Sequence, residues 1–140
     1  MTQYAMHRKA EDRVELSAKK PLSDLHRLRG VWINTNDKTR GIAKVVLTPT
    51  EGRLMVQVFG VCDPALCDWG KTEAEMLYAD NITSHYASAF TAQYRFDFAE
   101  IQLQANWNQG LLVIGTFTAF TDSSERSNYF SREFFRQEGN

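Results

Sequence analysis

Two cysteines, five clustered acids and three histidines are the groups in this sequence able to form a covalent bridge, pass a proton or hold a metal. Cys62 and Cys67 flank Asp63-Pro64-Ala65-Leu66, so a four-residue hairpin loop would set them opposite one another. Facing positions with close side chains suit a disulfide, and two thiols packed at a rim suit the same placement. A metal would need further ligands, and no second cysteine pair or histidine pair stands at ligand spacing, so neither a metal nor any other cofactor is expected. Asp63, Asp68, Glu73, Glu75 and Asp80 crowd the same hairpin and its exit. Two carboxyls brought together push one pKa up and make an acid–base pair, whereas Glu73 and Glu75, two apart beside Lys71, describe a solvated face. Of His7, His26 and His85, the last stands beside Tyr86 ahead of a strand-like run, a place for a general base, a haem ligand or a simple loop hydrogen bond. No Ser-His-Asp order, glycine-rich phosphate loop or His-Glu-x-x-His motif is present, so no catalytic residue is assigned.

The aromatic set says more. Nine Phe, five Tyr and three Trp fall mostly within strand-like segments. If Trp32, Phe59, Trp69, Tyr94, Trp107 and Tyr129 turn inward in a curled sheet, they fill its core or line a narrow apolar slot. Asn34, Gln57 and Thr116 would be the slot's polar groups. Slots of that kind take small hydrophobic or amphipathic molecules, so these nine residues are the expected ligand-binding set.

The elements that position them follow from periodicity. Residues 6 to 19 are rich in helix formers and end at Pro21, which lacks the N–H a continuing helix would use. Leu22, Leu25 and Leu28 then recur every three residues behind Ser23-Asp24, predicting a turn of helix that plugs one end of a barrel. From Gly30 the period becomes two, and eight segments are expected: 30–35, 42–48, 53–62, 69–78, 87–96, 101–107, 111–120 and 127–135. Thr50-Glu51-Gly52 and Asn108-Gln109-Gly110 mark hairpins, and Asp63-Pro64 marks a type I turn. Every connection is short, so neighbours should pair as a meander, and eight strands close a barrel wide enough for one small ligand or a packed core. The expected fold is all-β, an eight-stranded antiparallel up-and-down β-barrel over 30–137, behind a charged helical extension over 1–29.

Composition excludes several classes. A formal charge of −1 does not make the basic face of a general nucleic-acid binder. Residues 1–29 hold seven Lys/Arg against four Asp/Glu, a solvated helix or a contact for an acidic partner. Nothing approaches the roughly 18 apolar residues of a membrane-spanning helix, and Met1 to Ala10 lacks the apolar core of a secretory signal, so the expected location is the cytoplasm. The segments 53–62 and 111–120 are apolar on both faces, predicting an exterior patch that a second copy covers, hence a homodimer.

Gly30-Val31-Trp32 resembles the Gly-x-Trp signature of the first lipocalin strand, and Gly-Val-Trp-Ile-Asn resembles the opening strand of the avidins. Both are calycins, so the resemblance implies an up-and-down barrel in which Trp32 closes the floor with an arginine, Arg132 or Arg136, over its ring. It also implies a ligand contact for Asn34. Lys38 stands where the avidins place a serine, and the lipocalin Thr-Asp-Tyr loop is absent, so the resemblance extends to the barrel and not to its ligand. Cys-x4-Cys-Asp-Trp-Gly with the later Thr-Asp-Ser-Ser-Glu-Arg-Ser-Asn-Tyr resembles an uncharacterised bacterial branch of small proteins.

Three functions are compatible with these readings. The first is a non-catalytic barrel binding a small hydrophobic or amphipathic ligand. The second is a cyclase or isomerase that folds a flexible substrate inside the barrel, where orientation supplies most of the acceleration. The third is a protein-interaction module using the outer apolar face or the basic N-terminal segment.

Overall fold

The computed structural model describes residues 24–139 as nine antiparallel strands in one sheet. They are β1 (Gly30–Asn34), β2 (Ile42–Thr50), β3 (Arg53–Gly60), β4 (Cys67–Glu73), β5 (Met76–Ala79), β6 (Ala87–Arg95), β7 (Ala99–Asn108), β8 (Leu111–Phe120) and β9 (Tyr129–Gln137). The sheet order is β4-β3-β2-β1-β9-β8-β7-β6-β5, so two meanders, β1 to β4 and β5 to β9, are joined by the ladder between the first and last strands. The expected helix over 6–19 and Leu22 lie outside the described residues. Among the described residues there is no helix.

Alternation explains why these segments are strands and which way they face. In β7, Ile101, Leu103 and Ala105 are buried while Gln102, Gln104 and Asn106 are exposed. In β3, Leu54, Val56 and Val58 are buried and Met55, Gln57 and Phe59 turn outward, half-buried. The hairpins β2–β3 and β7–β8 turn through Glu51-Gly52 and Gln109-Gly110, with positive φ at both residues of each pair. That is the two-residue turn whose twist matches the flanking strands.

The strand count exceeds the expected eight because the run expected over 69–78 breaks at Ala74-Glu75. The Ala74 N–H donates to Leu54 O of β3, and the Glu75 N–H donates to Thr91 O of β6. The chain thus crosses from one arm of the sheet to the other, with β4 paired to β3 and β5 paired to β6. The sheet is curled into a half-barrel, and between β4 and β6 side chains take the place of a ladder. The Tyr94 hydroxyl accepts from the Val58 N–H at 3.2 Å and donates to Gly70 O at 2.7 Å, while Thr72 Oγ1 donates to Gln93 O at 3.4 Å. Burial of that phenol raises its pKa to about 12.

Register divides the curled sheet into two ends. One end carries residues 24–29 and the turns at 50–52, 80–86 and 108–110; the other carries the loops at 35–41, 61–66, 96–98 and 121–128. The first end is a closed floor. The Leu28 and Arg29 N–H groups both donate to Leu25 O, which makes a hydrogen-bonded turn in place of the expected turn of helix, and Leu25 and Leu28 are buried in the core. Asp24 bridges to Tyr86 of the 80–86 loop, and the Ala87 N–H donates to Asp24 O at 2.8 Å. Trp32, 1% exposed, donates its indole N–H to Leu28 O at 2.9 Å. Above this plug, Val45, Leu47, Val56, Phe90, Leu103, Leu112, Ile114 and Phe135 fill the interior.

Candidate ligand-binding mouth

At the other end the interior opens. On the inward face of β8, the row Leu112, Ile114 turns polar at Thr116 and Thr118, which are 6% and 5% exposed. Opposite them on β9 stand Ser131 and Tyr129, in register as Thr116 with Ser131 and Thr118 with Tyr129. A cavity of about 550 Å³ lies against these side chains, bordered also by Ile42, Gly60, Val61 and Trp69 and by the loop residues Asn36, Thr39 and Arg40. Among the described residues, the Thr116 and Thr118 hydroxyls form no hydrogen bond and neither is sealed from the cavity. Buried hydroxyls ordinarily find partners, so two that remain open here are the site's strongest chemical feature.

The rim is built to hold its shape. Glu133, next inward on β9, accepts from Asn34 Nδ2 at 2.8 Å, from the Ile42 N–H at 3.2 Å and from the Thr39 hydroxyl. Asn34 Nδ2 donates its second hydrogen to Ile42 O, and Asn34 Oδ1 accepts from the Asn36 N–H, both at 2.8 Å. Thr39 Oγ1 then accepts from the Gly41 N–H at 3.0 Å. A Cβ at Gly41 would stand 2.7 Å from Glu133 Oε1, so only glycine lets the loop approach that carboxylate. Across the mouth Gly60 does the same for Trp69, whose Nε1 would stand 2.8 Å from an added Cβ. Trp69 packs edge-on against Tyr94 and Phe96, with ring centres 5.5 and 5.9 Å away. In the 121–128 loop, Arg126 bonds Asp122 at 2.9 Å and lies over the Phe120 ring at 4.2 Å. The Ser124 hydroxyl and N–H, with Arg126, hold the Asp122 carboxyl below its ordinary pKa.

Cys62 and Cys67 are bridged, with Cα atoms 5.5 Å apart, and pin the exposed β3–β4 loop at the rim. The loop bends at residues 63–65 and carries a cis Asp63–Pro64 peptide in place of the expected type I turn.

The residues singled out from sequence divide by place. Trp69, Thr116 and Tyr129 meet at the mouth. Asn34 lies just beneath it, with its amide committed to the rim loop and to Glu133. Tyr94 is the seam bond, Trp32 belongs to the floor, and Trp107 lies at the floor with the Arg27 guanidinium 4.8 Å above its ring. Gln57 and Phe59 face outward, because their strand alternates with Leu54, Val56 and Val58 as the buried set. Gln57 donates to Asp68 at 2.9 Å, and Lys44 lies over Phe59 at 4.5 Å.

The arginine expected over Trp32 is not there. Arg132 and Arg136 occupy the outward positions of β9, and Arg132 lies over Phe134 at 5.6 Å. The five acids are all exposed and spread over the outer surface: Asp68 bonds Gln57 and the Gly70 N–H, which lower its pKa, Glu73 pairs with Arg53 and Asp80 with Arg27. His85 is exposed in the floor loop. No group of three metal-ligating side chains occurs among the described residues, and no helix long and apolar enough to cross a membrane occurs among them.

Sequence reasoning missed Thr118, Ser131 and Glu133. The signal for Thr118 was present, a second threonine two positions beyond Thr116 in an otherwise apolar row. Glu133 gave none, since its partners Asn34 and Thr39 lie 99 and 94 residues away. The outer apolar face also differs from expectation. β3 and β8 are separated by β2, β1 and β9, so they form no common patch. The exposed rings cluster instead on β8 and β9, where Phe117 and Phe130 meet at 4.7 Å beside Phe134.

The chain matches no protein-family model, no curated protein and no solved structure.

Proposed function

We propose that this protein is a non-catalytic binder of a small amphipathic molecule, held at the open mouth of the curled sheet. The observation that carries the reading is the pair of nearly buried Thr116 and Thr118 hydroxyls, unbonded among the described residues and facing a cavity of about 550 Å³. That volume falls in the range of small-molecule sites, which combine apolar walls with a few convergent polar groups. At the floor, among the described residues, Leu25, Leu28 and Trp32 are packed into the core. Of the expected ligand set, Trp69, Thr116 and Tyr129 take part in this reading, and Thr118 and Ser131 join them.

The cyclase or isomerase reading has less support. It needs an inward carboxylate, tyrosine or histidine at the cavity: the Glu133 carboxylate already accepts from three donors, which leaves the Tyr129 hydroxyl alone to move a proton there. The expected homodimer would form through the outward face of β8 and β9, where the exposed Phe117 and Phe130 rings meet and Phe134 is also exposed. The Cys62–Cys67 bridge fits an oxidising compartment better than the expected cytoplasm, where thiols are kept reduced.

The test is native mass spectrometry of the gently purified protein, followed by titration with small amphipathic molecules while tryptophan emission is recorded. A bound adduct, or a saturable emission change that Trp69→Phe removes, is the expected result. A bare mass together with emission that no compound alters would reject the reading.

A further inference from the structure

The mouth's chemistry is specific enough to name a ligand class, an inference that rests on the binding reading above. Because Thr116 faces Ser131 and Thr118 faces Tyr129 across the β8–β9 ladder, four hydroxyl-bearing residues stand two by two on one inner wall, the Tyr129 ring reaching outward to 6.2 Å from that of Phe120. Facing positions in such a ladder are about 5 Å apart at Cβ and alternate positions on one strand about 7 Å. None of the four hydroxyls is hydrogen-bonded among the described residues, and each can donate as well as accept. The Trp69 indole and Ile42 border the same cavity and supply an apolar surface.

Charge narrows the class. Glu133, the one acid bordering the cavity, has its oxygens taken by Asn34, Thr39 and Ile42. Arg132, whose guanidinium lies over Phe134, and Arg40, exposed on the rim loop, also border the cavity, at its edge. The inner walls therefore present hydroxyls and one indole. An apolar guest would strip water from Thr116 and Thr118 without replacing its bonds, whereas an uncharged polyol replaces them.

We propose that the mouth binds an uncharged saccharide, one or two rings in size, whose hydroxyls bond the Thr116, Thr118, Ser131 and Tyr129 array while its apolar face lies against Trp69.

The test uses the full chain, with saturation-transfer NMR and tryptophan emission against neutral saccharides (glucose, galactose, mannose, N-acetylglucosamine, maltose, cellobiose, lactose). Nile red serves as the apolar probe and inorganic phosphate as the anionic one. At least one saccharide is expected to bind saturably and to compete with neither control. Thr116→Val and Thr118→Val, which keep side-chain shape and suit a strand, should each weaken it roughly 3–10-fold, the range for losing one hydrogen bond. An unchanged melting temperature identifies these variants as folded, and Ser131→Ala provides an independent third reading of the array. Nile red or phosphate binding without any saccharide would overturn the ligand class and leave the binding mouth standing. Failure of every probe would remove both.

Discussion

The two ends of this curled sheet are made from the same strands and do opposite things. At the floor, the indole N–H of Trp32 is bonded to Leu28 O, and Leu25 and Leu28 are buried with it in the core. At the mouth, Thr116 and Thr118 are nearly as buried, yet their hydroxyls are left open to a cavity. A single strand, β8, runs from one regime to the other: Leu112 and Ile114 belong to the packed core, Thr116 and Thr118 to the cavity wall. Stability is concentrated at one end and exchangeable contact at the other. This is the division expected where a rigid scaffold carries a site.

The sharpest way to break the comparison is at the floor. Trp32→Ala removes the largest fully buried side chain and its bond to the Leu25–Leu28 turn, and should cost about 3–5 kcal/mol in urea unfolding. A loss below about 1 kcal/mol would mean that the floor is not the anchor.

The seam comes next. Tyr94→Phe leaves the Val58 N–H and Gly70 O without their phenol partner and should cost about 1–3 kcal/mol. The same hydroxyl gives a pH signature. Its folded pKa of about 12 lies above the ordinary 10.0, so the folded state holds the proton more tightly. The contribution is complete below pH 10 and is lost as pH rises from about 10 to 12. Wild type should lose stability in that window relative to Tyr94→Phe, and parallel pH profiles for the two proteins would refute the assignment.

The smallest stability effect is expected at the rim. Cys62→Ser with Cys67→Ser opens a loop with a sequence separation of five, and chain-entropy reasoning limits the loss to about 2 kcal/mol. Amide exchange should accelerate in residues 61–66 and remain unchanged at Leu28 and Trp32. Faster exchange at the floor would show that the ends are coupled and dissolve the contrast.

Much of the architecture was legible from residue 30 onward because half-wet strands announce themselves. The alternation of Ile101, Leu103 and Ala105 with Gln102, Gln104 and Asn106 names both faces of β7. Segments apolar on both sides, such as β3, carry no such mark, and Gln57 and Phe59 were accordingly assigned to the wrong side. The break at Ala74-Glu75 was invisible for another reason: it depends on which strands lie to either side, and no local pattern records that. The site was half legible. Trp69, Thr116 and Tyr129 stand out by type, whereas the Glu133 clasp on Asn34 and Thr39 exists only once β9 lies beside β1.

That last adjacency has a consequence for how the molecule is made. Among the described residues β1 obtains its second neighbour only from β9, so it keeps one bare edge until residues 129–137 have been synthesised. Contacts so distant along the chain close slowly, and the nascent protein spends that interval with a sticky ribbon on display. A circular permutant that joins residue 140 to residue 1 and opens the chain at 74–75 would make β9 and β1 successive strands and shorten the wait.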